Sequence, residues 1–286
     1  METMKRHIPL VILFFLARAA AAQIAPFTLN FLPQGNTKAI VKHSYYTLEY
    51  SEKHEQARWV AYELCKTDVD CKQKRSNNFK ADQAVPSGSA GLLDYRGSGY
   101  DRGHLVPAGD MKRSKLAMSE SFLFSNISPQ RAAFNRGPWK ALEGTVRNWA
   151  KQHGHLYIVT GPILTDSLPK LKNSKVSVPN RFYKALLCSD TASGKPWKSI
   201  AIVMAQNAPT KPFPQQVISI DSLEVLTGID FYKSIEDSFQ NEFENTIDYT
   251  FWEIDRYEKG KSQKTSPSKN KPPRKSSVHK DAVLVE

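Results

Sequence analysis

The feature that most constrains this chain is a run of polar residues, set among glycines and short apolar stretches, between Asp94 and Trp149. It contains three segments in order: Tyr100-Asp101-Arg102-Gly103-His104, then Ser125-Asn126-Ile127-Ser128-Pro129-Gln130, then Asn135-Arg136-Gly137-Pro138-Trp139. Glycines at positions 88, 91, 97 and 99 precede the first segment. Tight turns should therefore deliver a strand that carries Arg102 and His104.

A helix is predicted after the third segment. From Trp139 to Trp149 apolar residues recur at helical spacing. Glu143 and Arg147 stand four residues apart and fall together on the flank of this apolar stripe. Asn135 stands where a helix N-cap would be. We expect a helix that buries one face and presents Asn135, Glu143 and Arg147 to one cleft.

The polar residues of these segments are of the types that phosphodiester hydrolysis needs. A histidine such as His104 can take a proton from water near neutral pH. The amide oxygen of Asn135 suits a hard cation such as Mg²⁺, and arginines can hold phosphate oxygens in a fork. The residues thus predict a metal-assisted nuclease site. The competing interpretations are an N-cap for Asn135 and an exposed ion pair of little consequence for Glu143 and Arg147.

Charge also favours a polyanionic partner. The 286 residues include 40 Lys and Arg against 28 Asp and Glu, a formal net charge of +12. Much of this charge is local, because residues 259–280 contain eight Lys and Arg residues, no acidic residue and no apolar pattern. We therefore expect residues 259–286 to form a disordered basic tail.

The N-terminus predicts export. Lys5 and Arg6 precede an apolar run from Ile8 to Leu16, and three alanines before Gln23 offer a cleavage site. These features are typical of a secretory signal peptide over residues 1–22, and the run is too short to span a bilayer. The mature protein should be secreted or periplasmic, without a membrane anchor, and residues 23–258 should form its folded domain.

Export makes disulfides possible, but only three cysteines are present. Cys65 and Cys71 flank a short polar stretch and could form a bridge. Cys188 lies in an apolar run and is expected to be a buried free thiol.

The remaining elements predict an α+β fold. Strands are expected at 43–50, 57–64 (with a short helix as the alternative), 122–127, 156–162, 181–187 and 199–204, and helices at 115–120, 221–226 and 230–239. These elements lack the regular alternation of a doubly wound sheet.

The quoted segments resemble the DNA/RNA non-specific endonuclease family, which includes secreted bacterial nucleases and mitochondrial endonuclease G. Residues 101–104 match its D-R-G-H signature, and residues 125–130 match its S-N-x-x-P-Q element. Asn135, Trp139 and Glu143 match its N-x3-W-x3-E pattern, in which each residue stands four positions after the one before it. The run from Asp94 to Gly99 is similar to endonuclease G in particular, and the similarity extends over about 42–255.

This resemblance implies a ββα-metal nuclease core within antiparallel sheets flanked by helices. It implies that His104 is the general base that activates water, one ring nitrogen taking the proton while the other is held by a hydrogen bond. Asn135 would coordinate one Mg²⁺ ion per site, or Mn²⁺ in its place. Glu143 would hold water around that ion and Arg147 would contact phosphate. Arg102 would serve the phosphate or the surroundings of His104.

The resemblance also implies supporting residues and a substrate. Asn126 and Gln130 would position His104 and the helix, and Arg75 would add a phosphate contact from an upstream loop. The expected substrates are DNA and RNA, cut to 5′-phosphate and 3′-hydroxyl ends. The neighbouring His153 and His155 are better explained by a helix-to-strand turn than by metal binding. Two alternative functions stay open: an exported nucleic-acid-binding protein without activity, and an esterase for a different phosphodiester. The sequence does not determine the oligomeric state, and a homodimer is one of the options.

Overall fold

The computed structural model describes residues 31–34, 39–189, 197–209, 211–235 and 237–255, with the backbone alone for 237–239. The predicted signal peptide and the predicted basic tail lie outside these residues.

One antiparallel sheet forms the centre of the fold. Nine strands occur in the described part of the chain: β1 (Ile40–Lys42), β2 (Thr47–Ser51), β3 (Gln56–Cys65), β4 (Asp101–His104), β5 (Ile127–Gln130), β6 (His155–Pro162), β7 (Arg181–Ser189), β8 (Trp197–Ala205) and β9 (Val217–Ile218). Seven of them form a sheet of order β1-β2-β3-β6-β7-β8-β9, in which every neighbouring pair is antiparallel. Strands β4 and β5 form a separate two-stranded ribbon.

Helices lie between and beside these strands. The described residues contain α1 (Lys66–Asp70), α2 (Leu92–Tyr95), α3 (Lys115–Glu120), α4 (Ala132–Phe134), α5 (Lys140–His153), α6 (Ile220–Thr227) and α7 (Asp237–Glu244). A π-helical stretch, Asn135–Trp139, joins α4 to α5, and 3₁₀ turns occupy Phe124–Asn126 and Phe213–Gln216. No helix among the described residues is long and apolar enough to cross a membrane.

The alternation of side chains along the strands divides the core between the two faces of the sheet. In β3, Val60, Tyr62 and Leu64 belong to one buried cluster, which also contains Leu142, Val146 and Trp149 of α5. Trp59 and Ala61 point the other way, into a cluster with Leu223 of α6 and Phe243 of α7. Because successive residues of a strand face opposite sides, the central strands are apolar on both faces. Helix α5 is thereby fixed against the sheet.

The ribbon and the helix that follows it form the predicted ββα unit. His104 pairs with Ile127 and Asp101 with Gln130, so the two predicted motifs lie side by side in antiparallel register. The chain then enters the helical segment 132–153. The predicted α+β fold with a ββα core is confirmed.

Several predicted boundaries were wrong. The strand predicted at 43–50 begins only at Thr47, after a turn, and the piece predicted as extended at 122–127 contains a 3₁₀ turn. The helix predicted from residue 230 begins at Asp237, because residues 231–235 form turns. The strand alternative for 57–64 is confirmed over the helical one, and the helix predicted at 115–120 is confirmed.

The disulfide that Cys65 and Cys71 could form is absent, and both residues are free thiols. The stretch between them is helix α1 rather than a loop. A helix rises about 1.5 Å per residue, so six residues separate the two Cα atoms by roughly 9 Å, beyond the ~7 Å that a disulfide can span. Cys188 is buried and forms no disulfide with a described residue, as predicted.

Candidate active site

His104, at the end of β4, is buried and held by aromatic packing. Its ring centroid lies 4.8 Å from that of Phe122 and 5.5 Å from that of Phe79. The ring is 8% exposed, and its buried Nε2 has no hydrogen-bond partner among the described residues. The hydrogen bond expected on one ring nitrogen is therefore not formed by that atom. Packing between two phenylalanines orients the ring instead.

Two arginines flank the same aromatic pair. The guanidinium carbon of Arg102 lies 4.1 Å from the ring centroid of Phe79, and that of Arg75 lies 4.9 Å from the centroid of Phe122. Burial, followed by the positive charges of Arg75 and Arg102, lowers the pKa of His104 to about 3. The imidazole is therefore neutral at neutral pH, as a general base must be.

This lowered pKa predicts a loss of stability in acid. The unfolded chain binds a proton on His104 near pH 6.5, whereas the folded chain does so only near pH 3. Stability should therefore fall as the pH falls from about 6.5 towards 3. We expect His104→Ala to narrow the difference in melting temperature between pH 7 and pH 4.5, as measured by differential scanning fluorimetry.

His155 provides a control of opposite sign. Although burial disfavours its charge, hydrogen bonds to Cys65 and Glu63 raise the pKa of His155 to about 9. Its contribution to stability is present below about pH 6.5 and is lost as the pH rises through 9. His155→Ala should therefore widen the same difference in melting temperature. If both variants shift it in the same direction, the buried, neutral state of His104 is wrong.

Asn135 lies inside the helical segment and not at its start. Its backbone is α-helical, with φ −58° and ψ −46°, and the residue with extended backbone before the helix is Arg131. The predicted N-cap role for Asn135 is therefore wrong. The π-helical stretch begins at Asn135, and a non-helical Gly137 kinks it. Such π segments often occur at functional sites, because they change the direction of one side chain within a helix.

Asp101 holds the Asn135 side chain in one orientation. Asn135 Nδ2 donates to Asp101 Oδ2 at 2.9 Å, and Arg136 donates to the two oxygens of the same carboxylate at 2.8 and 2.7 Å. The Arg136 guanidinium, together with the Asn135 amide, keeps the pKa of Asp101 below its usual range. With Nδ2 committed to Asp101, the amide oxygen of Asn135 accepts no hydrogen bond from any described residue and is free to bind a cation.

Glu143 and Arg147 are placed on α5 as predicted, but they do not pair with each other. Burial raises the pKa of Glu143 to about 7, opposed by the charges of Lys184, Arg147 and Arg75. Arg147 Nη1 instead donates to Oδ1 of the buried Asp110 at 2.8 Å, and the Tyr62 hydroxyl donates to the other carboxylate oxygen at 2.8 Å. The interpretation as an exposed ion pair is therefore wrong.

Asn126 and Gln130 support the ribbon from within. Asn126 Oδ1 accepts from the Val106 N–H at 2.9 Å, and its Nδ2 donates to the carbonyls of Val106 and Ser121 at 3.0 and 2.9 Å. These bonds fix the chain just after His104. The Gln130 side chain covers Gly103, where an added Cβ would lie 2.3 Å from the amide.

A cleft of about 460 Å³ opens beside these residues. Its lining includes Asn135 and four arginines, Arg75, Arg96, Arg102 and Arg136. The structure therefore brings three predicted site residues together in one cationic cleft. Glu143 and Arg147 are not part of this lining, so the prediction that they face one cleft with Asn135 is not met. His104 is not part of the lining either, but it is in electrostatic contact with Arg75 and Arg102.

Four further residues that shape the site were not predicted from the sequence: Asp101, Asp110, Phe79 and Lys184. Asp101 stood in a quoted motif without a role, and Lys184 was a charged residue in the middle of a strand predicted from its apolar residues. Both residues could therefore have been singled out from the sequence. Phe79 and Asp110 carry no local signal, because their roles depend on contacts distant in sequence. His153 and His155 lie at the turn between α5 and β6, as predicted.

A strand pair followed by a helix, with histidine on the ribbon and asparagine and glutamate on the helix, defines a ββα-metal nuclease. The model of the DNA/RNA non-specific endonuclease family matches residues 25–238. The chain belongs to this family of metal-dependent nucleases, which act on nucleic acids.

Two relatives and one solved structure with similar sequences are nucleases as well. The chain is 33% identical over 213 residues to a nuclease of Nostoc sp., covering 71% of this chain and 76% of the relative. It is 31% identical to the mitochondrial nuclease EXOG of Danio rerio, covering 67% of this chain and 60% of the relative. A crystal structure of the EndoG/EndoGI complex aligns with a TM-score of 0.64 and 28% identity, covering 71% of this chain and 89% of the matched one.

Proposed function

We propose that this protein is a metal-dependent endonuclease that hydrolyses phosphodiester bonds of DNA and RNA with little sequence preference. The observation that carries the proposal is the neutral, unpartnered imidazole of His104 beside two arginines and the oriented amide of Asn135. Exposed arginines contact backbone phosphates, which carry no sequence information. The products would be 5′-phosphate and 3′-hydroxyl ends.

Phosphate binding would prepare His104 for its role. Burial and, after it, the charges of Arg75 and Arg102 lower the pKa of His104. Arg102 and Arg75 would hold the phosphate oxygens, which would offset the part that comes from the two charges. The imidazole would become more basic at the moment when the substrate is bound. It would then take the proton of the attacking water, and the buried ring would keep its orientation through Phe79 and Phe122.

The residues present fit a hard cation. Asn135 offers an amide oxygen that no described residue uses, and Glu143 is a carboxylate without a hydrogen-bond partner among the described residues. Such oxygen donors suit Mg²⁺, or Mn²⁺ in its place. When bound, the ion would stabilise negative charge on the phosphate and on the leaving oxygen. Asn135 would hold it directly, and Glu143 would orient its water.

Among the described residues, Arg147 is the predicted phosphate contact that is already paired with a carboxylate. Its Nη1 is engaged by Asp110, and the side chain is 24% exposed. We propose that Arg147 stabilises the carboxylate of Asp110 through its ion pair and reaches phosphate only with its remaining donors. Asn126 and Gln130 would keep the β4–β5 ribbon, and with it His104, in register.

Digestion of duplex DNA and of RNA, with Mg²⁺ and with EDTA, tests the proposal. We expect both substrates to be cut with Mg²⁺ and neither to be cut with EDTA. A binding protein without activity would leave both intact, and an esterase for other substrates would ignore them. Labelling of the product ends with polynucleotide kinase would check the chemistry, because 5′-phosphate ends accept label only after dephosphorylation.

We also propose that the mature protein acts outside the cytoplasm, after removal of residues 1–22.

We propose further that the basic tail adds affinity for nucleic acid. Deleting residues 259–286 should leave the melting temperature and the saturating rate unchanged. Each lost phosphate contact should make the dependence of log affinity on log salt shallower by about 0.9 on duplex DNA. Binding measured by fluorescence anisotropy between 50 and 200 mM salt would check this. An unchanged salt slope would show that the tail does not contact DNA.

A further inference from the structure

One fully buried lysine lies next to the site without a carboxylate partner. Lys184 is in the middle of β7, paired with Thr160 of β6 and Ile202 of β8, and its side chain is 0% exposed. Its Nζ donates to Thr160 Oγ1 at 3.3 Å and to the Leu105 carbonyl at 3.4 Å. Among the described residues no carboxylate pairs with it directly. A buried charge that has only neutral acceptors is costly for the fold.

The three groups around Nζ belong to three different parts of the protein. Leu105 directly follows His104, Thr160 belongs to the central sheet, and the Trp139 ring lies 4.8 Å from Nζ. Trp139 is itself fully buried and stands four residues from Asn135 and four from Glu143. The lysine therefore contacts both the chain that carries the histidine and the helix that carries the metal-binding residues.

We propose that Lys184 is a positioning residue of the nuclease, whose ammonium group holds the backbone behind His104 and the helix of Asn135 and Glu143 at a fixed separation. The inference rests on the proposed function. An apolar side chain of the same length would fill the space at lower cost in desolvation. The ammonium adds two directional hydrogen bonds and a cation–π contact, which fix distance as well as fill volume.

The charge of Lys184 supports the same role. Burial lowers the pKa of Lys184 to about 8, while Glu143 and Asp110 counteract this lowering and Arg147 adds to it. In return, Lys184 is the strongest of the charges that oppose the raised pKa of Glu143. The lysine is therefore a counter-charge for the two acidic residues under the site as well as a mechanical link.

Lys184→Met tests the proposal, because it keeps the length and removes the charge and both hydrogen bonds. Leu186→Val is the matched control, since Leu186 is buried on the same strand and in the cluster under α5 but has no polar group to offer the site. Steady-state cleavage of DNA would give kcat and KM, and a Mg²⁺ titration would give the concentration for half-maximal rate. His104→Ala serves as the inactive reference.

We expect Lys184→Met to be folded, with a melting temperature no lower than that of Leu186→Val. A displacement of about 1 Å between catalytic groups can cost roughly 10²-fold in rate, so kcat should fall about 10–100-fold. The half-maximal Mg²⁺ concentration should rise, while KM for DNA, set by the surface arginines, should stay constant. Leu186→Val should keep the kcat and the Mg²⁺ titration of the wild type.

Two results would overturn the positioning role: a folded Lys184→Met protein with wild-type kcat and Mg²⁺ titration, or a variant that fails to fold. In both cases a cleaving wild type and an inactive His104→Ala would leave the proposed function standing. A wild type that cleaves nothing, or cleaves equally in EDTA, would contradict the proposed function itself.

Discussion

Replacing His104 with alanine should lower the rate of DNA cleavage by about 10²–10⁴-fold, the usual contribution of a general base. The substitution removes the imidazole that lies beside both Arg75 and Arg102. It should leave the fold intact, because the aromatic cluster of Phe79, Phe122 and Phe124 remains. Initial rates on a fluorescent DNA substrate, with circular dichroism as the check on folding, would measure the effect.

His54→Ala is the matched control for this variant. His54 is also a buried histidine with a pKa lowered mainly by burial, but its Nδ1 pairs with Ser177 Oγ at 2.9 Å, away from the cleft. Its replacement should cost some stability and leave the rate per folded molecule unchanged. If His104→Ala cleaves at a near wild-type rate, or if both variants lose activity equally, His104 is not the base.

Replacing Asn135 with alanine should raise the Mg²⁺ concentration needed for half-maximal rate by at least about 10–100-fold. In other metal sites, removing a residue that only hydrogen-bonds to a metal ligand lowers the metal affinity by about 10–100-fold. Asn135 is proposed to be the ligand itself, so its loss should cost at least as much. The loss of stability should be small, about 0.5–1.5 kcal/mol, because the variant gives up one hydrogen bond to Asp101 and no helix cap. A metal titration of the cleavage rate, beside thermal melting, measures both effects.

Asn207→Ala controls for the loss of a surface amide. Asn207 is exposed and pairs with Arg131 and Asn180, outside the cleft lining. Its replacement should leave the Mg²⁺ titration unchanged. An Asn135→Ala protein that melts lower but titrates with Mg²⁺ like the wild type would show that the amide orders the ribbon and does not bind the metal.

The elements that rest on local pattern were predictable from the sequence. Helix α5 follows directly from apolar periodicity, whereas the apolar stretch of β3 was compatible with a strand or a short helix. The order of the three motifs places His104 on a strand ahead of Glu143 on a helix. Local reasoning failed at Asn135. The residues Asn135-Arg136-Gly137-Pro138 contain a good N-cap and a proline, so they favour a helix start. The helix instead begins earlier and passes through this stretch as a π segment.

The electrostatics of the site were not predictable, because they arise from contacts between residues distant in sequence. Asp110 meets Tyr62 of β3 and Arg147 of α5, and Lys184 reaches Leu105 from β7. Nothing in the spacing of these residues indicates that the sheet brings them under one site. The sequence showed a lysine within an apolar strand, and only the fold shows what it contacts.

We propose that the chain cuts nucleic acid internally with His104 as the base and a metal ion as an obligatory partner. A covalently closed circular plasmid tests this most directly, because it has no ends for an exonuclease. Protein stripped with EDTA should leave the circle intact, and adding Mg²⁺ should convert it to nicked, then linear, then fragmented DNA. The same addition to His104→Ala should leave the circle closed over the same period. Cleavage by the stripped wild type would contradict the metal requirement, and equal cleavage by His104→Ala would contradict its role as the base.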